Sequence, residues 1–277
     1  MRVAFFGSDY FYSCLMSIVR SGHRVISVFS QPCDNVRFSF NKKVESFAAD
    51  MNIPMLIRPP RSDDIIQLID SGCDMIVSAA YRYKIPVEIE RAIIGVNVHP
   101  SLLPLGRGPW PTPWLFLKSH KEGGVTIHVL TNEFDAGDIL LQDRFELSEQ
   151  DNYDSVGLKI QLMAGELMSK FLLDHGKYLS DAKPQTSGEY WPYPSATDRT
   201  VNWEASVEEI HKVVRAFGNC DSYANFDNKM WAVQDANVWR TNHRCTPGQV
   251  IHRGENDVIV AASDGIVYLK SIRALAD

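Results

Sequence analysis

Met1-Arg2-Val3-Ala4-Phe5-Phe6-Gly7-Ser8-Asp9-Tyr10-Phe11 opens the chain. Residues 3–6 form a short apolar run with the length of a buried strand. Gly7, Ser8 and Asp9 turn the chain tightly into a helix with Phe11, Cys14, Leu15, Ile18 and Val19 on one face. Gly22 stands in the C′ position that ends it. Residues 25–29 read as the next strand. A strand, a crossover helix and a second strand make one unit of a parallel sheet, and the pattern then repeats. Residues 31–43 read as loop, 44–51 as helix, and 73–78 and 94–98 as strands. After a Pro- and Gly-rich stretch, 125–130 and 139–142 add two more. A long helix over 154–175 carries Val156, Ile160, Met163, Leu167 and Phe171 at helical spacing, with Gly176 as its stop. The expected fold class is α/β, a Rossmann-like, mostly parallel sheet over residues 1–190. Gly7 alone is not the Gly-x-Gly-x-x-Gly of a dinucleotide site, so NAD binding is rejected.

Residues 183–200 hold three prolines and little periodicity. They read as a segment packed along the first domain, with the linker proper at 191–204. Ser206-Val207-Glu208-Glu209 is a capping box opening a helix whose apolar face is Val207, Ile210, Val214 and Phe217. Beyond Gly218 the pattern turns to short strands at 230–233, 237–240, 248–251, 257–261 and 265–269, with a hairpin-type turn at Asp264-Gly265. Residues 205–277 are therefore expected to form a helix plus a small β-rich, barrel-like module. Trp231 and Trp239 are assigned to its core.

The length of 277 residues, the 45% hydrophobic content and the 22% charged content suit a globular protein with a full core. No apolar run approaches the roughly 20 residues of a membrane helix. The apolar run at the N-terminus is too short for a signal peptide, so the expected location is the cytoplasm. Five cysteines stand without a Cys-x-x-Cys pair, the pattern of reduced thiols rather than a zinc site or a disulfide frame, and no metal is expected. The net charge of −6 argues against a large nucleic-acid footprint, although a local basic patch can sit on an acidic protein.

The chemistry is concentrated in Asn97-Val98-His99-Pro100-Ser101-Leu102-Leu103-Pro104. A strand period of two places Asn97 and His99 on one face at the strand's carboxyl end, the edge where open α/β sheets bind ligands. Pro100 cannot continue a central strand, so the imidazole stands where the backbone leaves the sheet. Asp135, in Phe134-Asp135-Ala136-Gly137-Asp138, follows 36 positions after His99. A carboxylate beside an imidazole raises its pKa and fixes its tautomer. Asn, His and Asp together suit transfer of an acyl-level carbon. The Asn97 amide can hold an oxygen that becomes negative, His99 can support that oxygen or shuttle the amine proton, and Asp135 can hold His99. Asp138 is read as stabilising the loop, and His128, in a strand, as packed.

Asn-x-His-Pro-Ser-Leu-Leu-Pro, then Gly-Val-Thr-Ile-His, then Asp-Ala-Gly-Asp closely resembles the folate-dependent formyltransferase family. The family includes methionyl-tRNA formyltransferase, glycinamide ribonucleotide transformylase and the sugar formyltransferases. The resemblance places the family's catalytic Asn, His and Asp on Asn97, His99 and Asp135. It implies 10-formyltetrahydrofolate as cosubstrate. The folate pocket would be lined by Tyr81, Arg82, Tyr83, Lys84 and Ile85, whose backbone binds the pterin, and by Glu133, Phe134 and Asp138. It covers residues 1–175 well and the C-terminal module more weakly, through Val213-Val214-Arg215-Ala216-Phe217 and the strands after it.

The acceptor is read from what surrounds that constellation. The loop at 31–43 is short and carries Asp34, Arg37, Lys42 and Lys43, whereas gripping an RNA stem asks for a denser basic stripe. In length and layout the chain is similar to the sugar formyltransferases, so the expected acceptor is a primary amine on a dTDP- or UDP-linked amino sugar. Ser8, Tyr10, Ser101, Leu102, Pro104, Gly106, Arg107 and Trp110 are the expected acceptor contacts. Arg107 is suited to a phosphate and Trp110 to stacking on a base or sugar. The alternatives are methionyl-tRNA as acceptor, hydrolysis of the formyl group by water, and a folate-binding protein without turnover. The apolar β-module offers a surface for homodimer pairing.

Overall fold

The structure, a computed structural model, describes residues 1–32, 41–86 and 93–275. It divides into two compact units. The first comprises Met1–Pro109, Gly123–Phe145 and Leu158–Trp191. Its centre is a seven-stranded sheet built from β1 (Arg2–Gly7), β2 (Arg24–Ser30), β3 (Met55–Ile57), β4 (Met75–Ala79), β5 (Ile94–His99), β7 (Glu122–Val129) and β8 (Ile139–Glu146), in the order β3-β2-β1-β4-β5-β7-β8. The first five strands run parallel and β7 pairs antiparallel with β5. The mostly parallel α/β sheet expected from the sequence is borne out.

The crossovers are α1 (Tyr12–Arg20), α2 (Lys42–Asp50) and α3 (Ser62–Asp70). Val3, Ala4, Phe5 and Phe6 are wholly buried, as a central parallel strand covered on both faces requires. A short 3-10 turn at Asp9–Phe11 precedes α1, and Gly22 follows its end at φ 77°, the left-handed conformation of a C′ glycine. Most of α5 (Tyr153–Leu173) also belongs to this unit, fastened to α1 by the Ser13 and Ser17 hydroxyls donating to the Gln161 and Gly165 carbonyls. Gly176 is not the stop of that helix. The break falls at Asp174, whose carboxylate caps the Lys177 N–H and starts α6 (His175–Ser180), so Gly176 lies inside a new helical turn. A two-stranded ribbon pairs β6 (Leu105–Arg107) with β9 (Glu189–Tyr190). Sequence periodicity did not mark β3, α3 or this ribbon; β3, β6 and β9 are only two or three residues long, too short for an alternation to register.

The second unit comprises Trp110–Glu122, Glu146–Gly157 and Pro192–Asp277. Its helices are α4 (Thr112–Leu117) and α7 (Val207–Phe217), the latter opened by the expected reciprocal Ser206–Glu209 capping box. Its strands form two sheets. The first is β10 (Ser222–Phe226), β11 (Lys229–Val233) and β16 (Arg273–Ala274), and the second is β12 (Asp235–Arg240), β15 (Gly265–Lys270), β14 (Asp257–Ala261) and β13 (Val250–Arg253). Val207, Ile210 and Val214 of α7 share one apolar core with Phe226, Val233, Val258, Val260, Val267 and Leu269. Trp231 packs against that core, stacked on Phe226. Trp239 does not. Ala236 and Val238 take the inward positions of β12, and the two-residue period turns Trp239 outward, 50% exposed.

Candidate active site at the carboxyl edge of the sheet

Parallel register brings several chain turns to one edge. Gly7 pairs with Ala79, Ser78 with Asn97 and Ala79 with Val98, so Ser8 and Ala80, which follow strand ends, and His99, the last residue of β5, lie on the same side. The strand order reverses between β1 and β4, and such a switch point opens the crevice in which α/β sheets bind ligands. Antiparallel pairing sets His128 of β7 directly opposite Asn97, and Thr126 opposite His99. Directly opposed residues share a face, so Asn97, His99 and His128 point the same way. Thr126 also fixes the turn after His99. Its hydroxyl donates to the Ser101 carbonyl at 2.6 Å and accepts the Leu103 N–H at 3.1 Å.

Asp135 comes to this face from the loop after β7. Its backbone adopts φ 56°, a conformation Asp tolerates better than most residues, and its carboxylate is buried. Oδ1 lies 3.2 Å from His99 Nδ1, and Oδ2 accepts the Gly108 N–H at 3.0 Å. His99 Nε2 donates to the Gly106 carbonyl at 2.8 Å. Both ring nitrogens thus face acceptors, which is the pattern of an imidazolium. Burial by itself would lower the His99 pKa. The charge of Asp135, the hydrogen bond to it and the Gly106 carbonyl outweigh burial and raise it. Burial likewise opposes ionisation of Asp135, but His99, the Gly108 N–H and His128 bring its pKa down to about 2.

His128 is buried and packed, as expected, and what it packs against is Asn97. Its Nδ1 donates to the Val129 carbonyl at 2.9 Å, which leaves Nε2 as an acceptor. Burial, and then the charge of His99, lower its pKa to about 4, so the ring is neutral near pH 7. A neutral Nε2 must receive a proton, and it receives one from Asn97 Nδ2 at 2.9 Å. The flip of the Asn97 amide follows from that bond. Its other N–H reaches Asp135 Oδ1 only at 3.5 Å, a weak contact that leaves this donor open to a better acceptor. The Gly-Val-Thr-Ile-His strand held the signal for His128, provided it is paired antiparallel with the strand of Asn97.

The expected folate-lining residues follow β4. Tyr81 and Ile85 turn their side chains into an apolar cluster with Phe6, Phe29 and Ile76, and the Tyr81 hydroxyl donates to the Arg58 carbonyl at 2.9 Å. The Arg82 N–H donates to Gln31 Oε1, Tyr83 sits edge-on to Tyr81, and Lys84 is exposed. On the other loop Glu133 is exposed, Asp138 is half-buried, and Phe134 leaves its ring 61% exposed one residue from Asp135.

Of the expected acceptor contacts, Ser8 is buried under the Ala80 carbonyl, and Tyr10 is half-buried against Phe11. The Ser101 hydroxyl donates to the Leu105 carbonyl at 2.8 Å, and Leu102 and Pro104 are half-buried in the same turn. Gly106, at φ 77°, lies under Trp191; a Cβ there would stand 2.8 Å from the indole ring. Arg107 is held by Gln185, whose Oε1 accepts from Nε at 3.0 Å and Nη2 at 2.8 Å. Trp110, expected as an acceptor contact suited to stacking, belongs to the second unit, where its indole N–H donates to the Tyr153 hydroxyl and its ring packs with Phe217, Tyr193 and the Arg199 guanidinium. Within the 31–43 loop, Asp34 and Arg37 lie outside the described residues, while Lys42 and Lys43 open α2, where the Lys43 N–H meets Asp9. Among the described residues no three His, Cys, Asp or Glu side chains are grouped to hold a metal ion, and no helix is long and apolar enough to cross a membrane.

Residues 1–172 match the formyl transferase family and residues 195–276 match the formyl transferase C-terminal domain. The chain belongs to this family and is a formyltransferase, as the sequence resemblance implied. Methionyl-tRNA formyltransferase of Streptococcus agalactiae serotype III is 28% identical over 286 residues, covering 98% of this chain and 90% of that protein. The enzyme of the same name from Staphylococcus aureus strain MW2 is 25% identical over 274 residues, covering 95% and 88%. Among solved structures, the sugar 3N-formyl transferase WlaRD, crystallised in the presence of dTDP and 5-N-formyl-THF, superposes with a TM-score of 0.71 at 19% identity, covering 100% of this chain and 98% of that one. The Helicobacter canadensis N-formyltransferase, in complex with folinic acid and dTDP-3-aminofucose, gives 0.69 at 17% identity, covering 98% and 99%. These two likenesses show the fold.

Proposed function

We propose that this chain transfers the formyl group of 10-formyltetrahydrofolate to the primary amine of a dTDP- or UDP-linked amino sugar. The observation that carries the transfer reaction is the Asn97–His99–Asp135 cluster at the carboxyl edge of the sheet, with His99 and Asp135 buried and their charges already arranged. Folate suits the residues beside it. Tyr81 and Ile85 commit their side chains to the core, so residues 81–85 offer backbone groups to a pterin, and Phe134 offers an apolar face.

Each residue has a distinct task. Asp135 keeps His99 protonated and oriented. His99 sets its positive charge beside the formyl oxygen as it becomes negative. Because both its nitrogens already donate, this role fits His99 better than taking a proton from the amine. His128 holds one Asn97 N–H and thereby aims the other at the same oxygen. The neutral amine attacks the formyl carbon, the bond from that carbon to N10 breaks, and the proton leaving the amine balances the one gained at N10.

Three features support a small acceptor: the net charge of −6, the nearly full-length match to two sugar N-formyltransferase chains, and an Arg107 side chain aimed by Gln185 that can meet a phosphate. A methionyl-tRNA acceptor is the second reading, favoured by the 25–28% identity to methionyl-tRNA formyltransferases over nearly the whole chain. The two are separated by assaying transfer from 10-formyltetrahydrofolate to dTDP- and UDP-linked 3- and 4-amino sugars and to methionyl-tRNA. Turnover with an amino sugar supports the first reading. Turnover with methionyl-tRNA alone, falling steeply with salt, replaces it with the second.

A further inference from the structure

Residues 183–191, a Pro- and Gly-containing stretch with no periodicity, return along the edge of the first unit. Lys183 exchanges two backbone hydrogen bonds with Ile139, Glu189 donates to the Pro104 carbonyl, and Trp191 donates to the Arg107 carbonyl at 2.7 Å. Gly188 lets the backbones close, since a Cβ there would lie 2.3 Å from the Pro104 oxygen. In the middle of this stretch stands Gln185. Its Nε2 donates to the Asp135 carbonyl at 2.9 Å and to the Gly137 carbonyl at 2.6 Å. Its Oε1 accepts from Arg107 Nε and Nη2.

A primary amide has two N–H donors and one oxygen with two lone pairs, and here all four are used. The partners also leave no choice of orientation, because two carbonyls demand the NH2 group and a guanidinium demands the oxygen. Glutamate would set a carboxylate against two carbonyls, and an apolar side chain would leave both carbonyls without this donor. The two carbonyls belong to the turn that holds Asp135 at φ 56°, and the guanidinium belongs to the residue just before Gly108, whose N–H meets the Asp135 carboxylate. Gln185 therefore grips both the backbone that carries Asp135 and the strand end that anchors its carboxylate.

We propose that Gln185 is a positioning residue for the reaction, setting the Asp135 carboxylate against His99 and aiming Arg107 at the same time. This rests on the catalytic reading of Asn97, His99 and Asp135 given above. Among the described residues, the charged and titratable groups facing His99 are Asp135 from its loop and His128 from β7, and Arg107 acts on His128. Only the first of these is held by Gln185 directly through its backbone.

The test uses the full chain and two variants, Gln185→Ala and the length-preserving Gln185→Met. His99 is titrated by NMR with labelled histidine, its signal assigned by its loss in His99→Gln, and formyl transfer and thermal unfolding are measured alongside. The expected result is a His99 titration moved to lower pH and a kcat reduced roughly a hundredfold with KM for 10-formyltetrahydrofolate nearly unchanged, the cost of misplacing a catalytic group by about 1 Å. In an Asp135→Asn background the same changes at 185 should add little to the loss. Both variants keeping the wild-type His99 titration and kcat, while unfolding at a lower temperature, would overturn the proposal and leave Gln185 a structural anchor. A shifted His99 titration in both variants, beside a wild-type protein that formylates no amine, would instead remove the proposed function while the positioning of Asp135 against His99 stood.

Discussion

The carboxyl end of β5 and the opening turn of α7 both depend on hydrogen-bonded polar groups, and they use them in opposite ways. At β5, His99, His128 and Asp135 are 2–9% exposed, His99 is satisfied by Asp135 and the Gly106 carbonyl and His128 by Asn97 and the Val129 carbonyl, and burial together with the neighbouring charges displaces the pKa of each. At α7, Ser206 and Glu209 cap the helix at the surface, and Arg240 bridges Glu208 at 2.7 Å and Asp264 at 3.3 Å with its own side chain 66% exposed. Water can replace any of those surface partners. It cannot replace Asp135 beside His99 without reopening the site. Losing one partner of a buried polar cluster therefore costs most, and exposed pairs are where a fold tolerates change.

Breaking the buried cluster should have the largest consequences. Asn97→Ala removes the donor aimed by His128, and kcat should fall about a hundred- to a thousandfold with the fold intact, as read by steady-state kinetics beside circular dichroism. Near wild-type turnover would separate Asn97 from the reaction. A second, smaller effect is on pH dependence. His99 stays protonated above its ordinary range because Asp135 outweighs burial, so transfer should decline as pH rises through that raised pKa. Asp135→Asn removes the carboxylate and should bring the decline to lower pH, which a kcat/KM profile will show.

The linkage to stability has the same sign structure. The contribution of His99 is fully present below pH 6.5, its ordinary pKa, and is lost as pH rises through the raised one. That of Asp135 is present above 3.8 and is lost as pH falls toward 2. His128 works against stability in acid. Unfolded, it takes a proton below pH 6.5, whereas folded it resists one until about 4, so the protein should lose stability across that interval. His128→Gln should flatten this part of the unfolding-midpoint profile.

The surface turn should respond least. Ser206→Ala leaves the Glu209 N–H without its cap and should cost about 1 kcal/mol in denaturant unfolding. Arg240→Ala should leave the unfolding midpoint indistinguishable from wild type, and a clear drop would show that the contrast between buried and exposed pairs is overstated.

Much of this architecture is legible in the sequence because it follows strong periodic or stereochemical rules. The apolar run at 3–6, the glycine at 22 and the capping box at 206–209 each have one dominant local solution. Asn97 and His99 are legible because alternation puts them on one face beside a proline that ends the strand. His128 and Gln185 are different. Their importance comes from strand pairing and from a return of the chain across more than forty residues, neither of which local pattern encodes. Gly176 shows the limit of a residue rule, since a side-chain cap at Asp174 restarted the helix and overrode the glycine signal. Trp239 shows the same limit in a strand, where alternation prevails over hydrophobicity.

The most direct test of the catalytic account is the release of tetrahydrofolate from 10-formyltetrahydrofolate, followed with and without amine acceptors while the acceptors are checked by mass spectrometry. The account predicts release only when a suitable amine is present, with one formyl group gained by that amine for each tetrahydrofolate formed. Equal release without any acceptor, with formate as the product, would contradict it and make the buried cluster that of a hydrolase.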